Sequence, residues 1–132
     1  MSIFSVLCRA PKTFVSREKY QRNLANQLAM TPQTVNQLRK FDVAANKLLK
    51  LEFFFYTNTI AKASALAQAL SDLHYTVDYG PSASNRRLQV VTGWSVAIEM
   101  NDVVVTGWTK MMTDLGFAHD CEFDGWGTNP KQ

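Results

Sequence analysis

Cysteine is nearly absent: Cys8 and Cys121 are the only two among 132 residues, and they lie far apart. Two distant thiols are not the framework of a disulfide-stapled secreted domain, so a reducing cytoplasm is the expected compartment. No apolar run approaches the roughly 20 residues that a membrane-spanning helix needs. The apolar start, Met1 to Leu7, is too short for a secretory core and has no basic lead. No membrane partner is expected. The motifs of chemistry are missing as well. There is no Gly-x-Ser-x-Gly elbow, and Gly80-Pro81-Ser82 sits in a loop with no Gly-Lys-Ser/Thr to follow. The chain holds only two His and two Cys, at spacings that match no common zinc pattern. Neither an enzyme nor a bound cofactor is expected.

What is present is enough for a real core. Hydrophobic residues make up 46% and aromatics 11% of a chain the size of one ordinary domain, while 19% charged residues exclude a disordered tail. The net charge of +3 hides a division. Nine basic residues against two acidic ones give residues 1–50 a charge of +7, and five against nine give residues 51–132 a charge of −4. Such asymmetry suits an arm for nucleic acid, an acidic-faced partner surface, or two halves that attract each other. The basic residues, Arg9 and Lys12 through Arg17, Lys19, Arg22 and on to Lys50, never form a block. A solvated or intramolecular role is therefore favoured.

The first half has the pattern of helices. Ser16 can cap a helix over Arg17 to Met30, and Thr31-Pro32 then restarts the chain with Thr as cap and Pro at the first helical position. Val35, Leu38 and Phe41 continue that second helix. Two short helices and a tight turn invite a DNA-reading motif, but no recognition surface stands out and packing explains them better. From Leu49 the period changes to two, with Leu49, Leu51, Phe53 and Phe55 on one strand face and Lys50, Glu52, Phe54 and Tyr56 on the other. Ile60, Ala63, Leu66, Ala67 and Leu70 make a helical stripe to about Leu73, and strands follow at 75–79 and 88–94.

Asn101 can cap and Gly116 end a helix over about 102–115, whose apolar face is Met100, Val104, Trp108, Met111, Met112 and Leu115. Gly107 inside it implies a close contact with a neighbour. A last strand over about 118–123 runs into Asp124-Gly125-Trp126-Gly127. The order β-α-β-β-α-β predicts an α+β, ferredoxin-like sandwich: a four-stranded antiparallel sheet with two helices. Residues 1–48 form a basic helical extension ahead of a domain at 49–132.

Strand alternation over His119-Asp120-Cys121-Glu122-Phe123-Asp124 sets His119, Cys121 and Phe123 toward the core and Asp120, Glu122 and Asp124 on one acidic face. Phe54 and Tyr56, if helices cover Phe53 and Phe55, lie on an open sheet face of the kind on which RNA-recognition modules stack bases. The signature of those modules is absent, and the acids would repel phosphates. Trp126, between two glycines, suits either a core anchor or an interface anchor.

The segment Cys121-Glu122-Phe123-Asp124-Gly125-Trp126-Gly127-Thr128 resembles the terminal signature of the regulator of ribonuclease E activity B (RraB) family. Leu51 to Tyr56, a helix, and His74-Tyr75-Thr76-Val77 are similar to that family's first strand, helix and second strand. The resemblance implies an α+β sandwich and a non-catalytic bacterial cytoplasmic protein that binds the scaffold region of ribonuclease E and restrains its cleavage of RNA. The basic first half departs from the strongly acidic members of that family. On this reading Phe54, Tyr56, Asp120, Glu122, Asp124 and Trp126 form the partner-binding surface, and charge reversal at Asp120 and Glu122 should weaken binding while sparing the fold. The alternative is direct RNA or DNA binding through Arg17, Lys19 and Arg22.

Overall fold

The computed structural model describes residues 12–132. Met1 to Leu7, Cys8 and Arg9 lie outside the described residues. Helix α1 runs from Arg17 to Lys40, capped by Ser16, whose Oγ accepts the Lys19 N–H at 3.1 Å. Glu18 in its first turn and Arg39 and Lys40 in its last oppose the helix dipole favourably. This is one helix, not two, and it carries Pro32 in its interior. An interior proline costs about 3 kcal/mol. Tertiary packing outweighs that cost, because Gln27, Thr31, Val35 and Leu38 form one continuous buried face through the proline turn.

Two short strands, β1 (Leu48–Leu49) and β5 (Ile98–Glu99), pair with each other. The main sheet holds β2 (Glu52–Thr57), β3 (Thr76–Pro81), β4 (Gln89–Trp94) and β6 (Glu122–Gly127), in the order β3-β4-β2-β6 with every neighbour antiparallel. Helix α2 (Ile60–Asp72) joins β2 to β3, and α3 (Asp102–Ala118) lies between β5 and β6. Their caps are Thr59 and Asn101, and Asn101 Oδ1 accepts from the Val103 N–H at 2.8 Å. The last strand therefore starts later than expected and takes in the Asp124-Gly125-Trp126-Gly127 segment.

Period-two alternation in β2 is realised in full: Phe53, Phe55 and Thr57 are buried, while Glu52, Phe54 and Tyr56 between them are half-buried. On the buried side Phe53, Phe55, Val91 and Phe123 meet Ala63, Leu66, Ala67 and Leu70 of α2 and Val105, Trp108 and Met112 of α3. Val35 and Leu38 of α1 belong to the same core. Ile60, expected in the α2 stripe, is exposed at the first helical position.

The buried face of α3 is turned from the expected one. It is made of Val105, Trp108, Thr109, Met112, Thr113 and Gly116, and Val104 and Met111 face out. Two threonines work here as core residues because their hydroxyls donate back to the Val105 and Thr109 carbonyls, at 2.9 and 2.8 Å. The Thr109 hydroxyl also meets that of Thr31 at 2.9 Å, which joins α3 to α1. Gly107 makes no close contact, since a Cβ there would find nothing within 4 Å. The tight position is Gly116, where a Cβ would stand 2.8 Å from the Cys121 carbonyl oxygen and 2.8 Å from the Phe55 ring.

Nor does Gly116 end α3. Among the described residues the three helices each close with a residue in the left-handed region that is not glycine: Asp42 (φ 63°), His74 (φ 67°) and Asp120 (φ 54°). Behind each, the next residue's N–H reaches back to the helix: Val43 to Leu38, Tyr75 to Leu70 and Cys121 to Gly116. These are Schellman closures built on Asp and His, the side chains that tolerate this conformation best after Gly and Asn.

Candidate protein-interaction face

Antiparallel register places Glu52, Phe54 and Tyr56 beside Trp94, Thr92 and Val90 of β4 on one flank and Gly127, Gly125 and Glu122 of β6 on the other. Cross-strand partners share a face, so these residues make up the sheet surface opposite the core. Phe54, Tyr56, Val90 and Trp94 are all half-buried there. Among the described residues, α2 and α3 pack against the other face, and α1 packs along β6 and α3. Among the described residues no helix lies over this face, and Phe54 and Tyr56 on it are half-buried. Trp94 and Val90 extend it, and sequence pattern alone did not assign them to it because only strand register does.

Side chains engage part of the backbone at each edge of the sheet. At β6, Asn23 Nδ2 and Gln27 Nε2 of α1 donate to the Phe123 carbonyl at 2.9 and 3.3 Å. At β3, the Tyr79 N–H is taken by Asp78 Oδ1 at 2.8 Å, and Pro81 has no N–H to offer.

The predicted acidic residues do not share one face. Asp120 lies in the turn ahead of β6, not on the strand. Its carboxylate accepts the Phe14 and Val15 N–H groups at 2.8 and 2.7 Å and pairs with Lys62 Nζ at 2.5 Å. Burial alone would raise this carboxyl, but the Lys62, Val15 and Phe14 bonds outweigh it and hold the pKa below its ordinary value. Asp120 ties the N-terminal segment, α2 and the start of β6 together, so its charge reversal would not spare the fold.

Glu122 stays on the open face beside Tyr56 and lies 3.8 Å from Lys19. Asp124 is exposed at a bulge in the β2–β6 pairing, and partial burial raises its carboxyl. The next residue, Gly125, has a φ of +134°, which side chains rarely adopt. Trp126 turns to the core side opposite Phe53, sets its ring edge-on to Trp108 and points its Nε1–H at the Thr31 hydroxyl, 3.4 Å away. A hollow of about 200 Å³ between α1 and β6 gathers Phe54, Asp124 and Trp126 with Gln27, Met30, Thr31, Thr34 and Gly125. Met30 and Thr34 gave no signal in sequence, because the restart assumed at Pro32 divided the face on which they lie.

Of the three basic residues expected to meet nucleic acid, Arg17 and Lys19 make contacts within the chain. Lys19 lies over the Phe14 ring at 4.6 Å as well as near Glu122, and Arg17 lies over Phe117 at 5.9 Å. Arg22 is exposed. Tyr20 stacks on Phe117 and donates its hydroxyl to Asp114, which Lys110 also holds at 2.6 Å. Burial would raise Asp114, but the Lys110 and Tyr20 bonds prevail and lower it. Of the three ion pairs among the described residues, Lys19–Glu122 alone joins the basic half to the acidic half.

His119 and Cys121 do not form a reactive pair. Cys121 is buried and its thiol is pushed up to about 11, chiefly by desolvation, whereas His119 is the C-cap of α3 with its ring against the Leu115 carbonyl. Among the described residues no group of three His, Cys, Asp or Glu could hold a metal ion, and no helix is long and apolar enough to cross a membrane.

A family model described as RraB, Regulator of ribonuclease activity B, matches residues 28–128. No curated protein matches the chain significantly.

Proposed function

The chain belongs to the RraB family of ribonuclease-activity regulators, and from that premise we propose that its open sheet face is the surface that holds ribonuclease E. Membership makes it a non-catalytic regulator that works through protein binding. The observation that carries the surface is the row of half-exposed Phe54, Tyr56, Val90 and Trp94 facing away from the core. Aromatic groups of this size supply the anchors of protein interfaces. Glu122 and Asp124 bound the row on the α1 side, which suits a basic partner segment. Trp126 supports the rim from beneath, and Asp120 positions the strand that carries it.

The finer features follow the same reading. The chain is a bacterial cytoplasmic regulator with a ferredoxin-like β-α-β-β-α-β domain at 49–132 and an N-terminal extension at 1–48. The order of elements and the antiparallel pairing β3-β4-β2-β6 support the sandwich. The internal contacts of Arg17 and Lys19 favour protein over nucleic acid as the partner.

Isothermal titration of ribonuclease E with the wild-type chain and with a Tyr56→Ala, Glu122→Lys variant tests the surface. The variant should bind at least tenfold more weakly at an unchanged melting temperature. Equal affinities would remove this face as the binding surface.

A further inference from the structure

A second hollow of about 290 Å³ lies beside the first, between the C-terminal half of α1 and residues Gly127, Thr128 and Pro130. The two share Thr34, so they lie end to end along α1 from Gln27 to Phe41 and together outline a groove. At 1.5 Å per helical residue the groove is about 21 Å long, which accommodates about six residues of extended chain. Its rim carries Met30 and Phe41, exposed by 55% and 67%, and its walls include Phe54 and Trp126. Asp124 is the only charged residue among the described ones that lines either hollow. Among the described residues it has no cationic partner, whereas Asp114, Asp120 and Glu122 all do.

We propose that this groove docks an extended segment of a partner protein, about six residues long, in which apolar side chains flank a single arginine or lysine that pairs with Asp124. The apolar rims would bury large side chains on either side of that pair. An unpaired carboxylate in an otherwise uncharged groove selects one cation and disfavours an acid, so sequence preference is built into the site. Desolvation of Asp124 by the same walls fits a charge that waits for a partner. The proposal rests on the reading of this chain as a protein-binding regulator, but not on which ribonuclease it regulates.

The test selects a phage-displayed random 12-residue peptide library on the intact chain and measures a labelled winning peptide by fluorescence anisotropy. Winning sequences should carry one Arg or Lys among apolar residues. Thr34→Trp, which fills the middle of the groove, should weaken the peptide at least tenfold, and Asp124→Asn about fivefold, with Tyr79→Ala on the far edge unchanged. Circular dichroism melts establish that each variant is folded. Winners without a cation, or binding indifferent to Thr34→Trp and Asp124→Asn, would overturn the proposal. So would a dimer that Thr34→Trp breaks in the absence of any selected peptide, since the groove would then belong to a second copy. Peptide selection without binding of ribonuclease E would keep the groove and remove the ribonuclease reading. Ribonuclease E binding indifferent to both groove variants, while the peptide stays sensitive to them, would keep both readings and assign the groove to another partner protein.

Discussion

The two faces of the main sheet are built from the same strands, one residue apart, and have opposite fates. Phe53, Phe55, Val91 and Phe123 are fully buried under α2 and α3, whereas Phe54, Tyr56, Val90 and Trp94 stay half-exposed. Both sets are apolar, so hydrophobicity alone does not assign the roles. Coverage does: the residues that helices cover stabilise the fold, and the equally apolar residues that no described helix covers are the ones proposed to bind.

Substitutions on the covered side should have the largest effects on stability. Phe55→Ala removes a ring packed on Phe53 and Phe123, and about 3–5 kcal/mol should be lost in urea unfolding. Gly116→Ala brings a methyl to 2.8 Å from both the Cys121 carbonyl and the Phe55 ring. Overpacking of this kind should cost about 1–3 kcal/mol despite the better helix propensity of alanine. Gly107→Ala, with open space around it, should stabilise by up to about 1 kcal/mol. That contrast reverses what the sequence pattern suggests for the two glycines.

Asp120→Asn comes next. It gives up the charge that Lys62 and two backbone N–H groups hold, at a cost of about 1–3 kcal/mol at pH 7. The carboxyl is held below its unfolded value of 3.8, so its contribution is fully present above that pH and is lost as pH falls through the lower folded value. The gap between wild type and variant should therefore narrow below about pH 4, measured as urea midpoints at pH 7 and pH 3. The smallest effect is expected at a helix end. His74→Gly relieves a left-handed residue and should raise stability by about 1 kcal/mol or less, seen as a rise in melting temperature.

How far sequence reaches is visible in the same elements. The β2 alternation is legible because Leu49, Leu51, Phe53 and Phe55 take every second position, with Lys50 and Glu52 marking the opposite face. Helix α3 was legible from Asn101 and its periodicity, but its face was misplaced because Thr109 and Thr113 are buried as readily as apolar residues once their hydroxyls turn back to the helix. The helix ends were hidden, since Asp42, His74 and Asp120 do the work sought from glycine. Pro32 suggested a break that the packing of Thr31 and Val35 overrides.

At the candidate site, Phe54, Tyr56 and Glu122 follow from strand pattern. The role of Asp120 does not, because its partners Phe14, Val15 and Lys62 are distant in sequence and meet it only in the folded chain.

The division of labour between the faces is tested most directly by one paired measurement: melting temperature and ribonuclease E affinity of Phe54→Ala and Val91→Ala. The account predicts that Phe54→Ala binds at least tenfold more weakly with a melting temperature near that of wild type, while Val91→Ala melts earlier and binds normally. A Phe54→Ala variant that binds as wild type would contradict it.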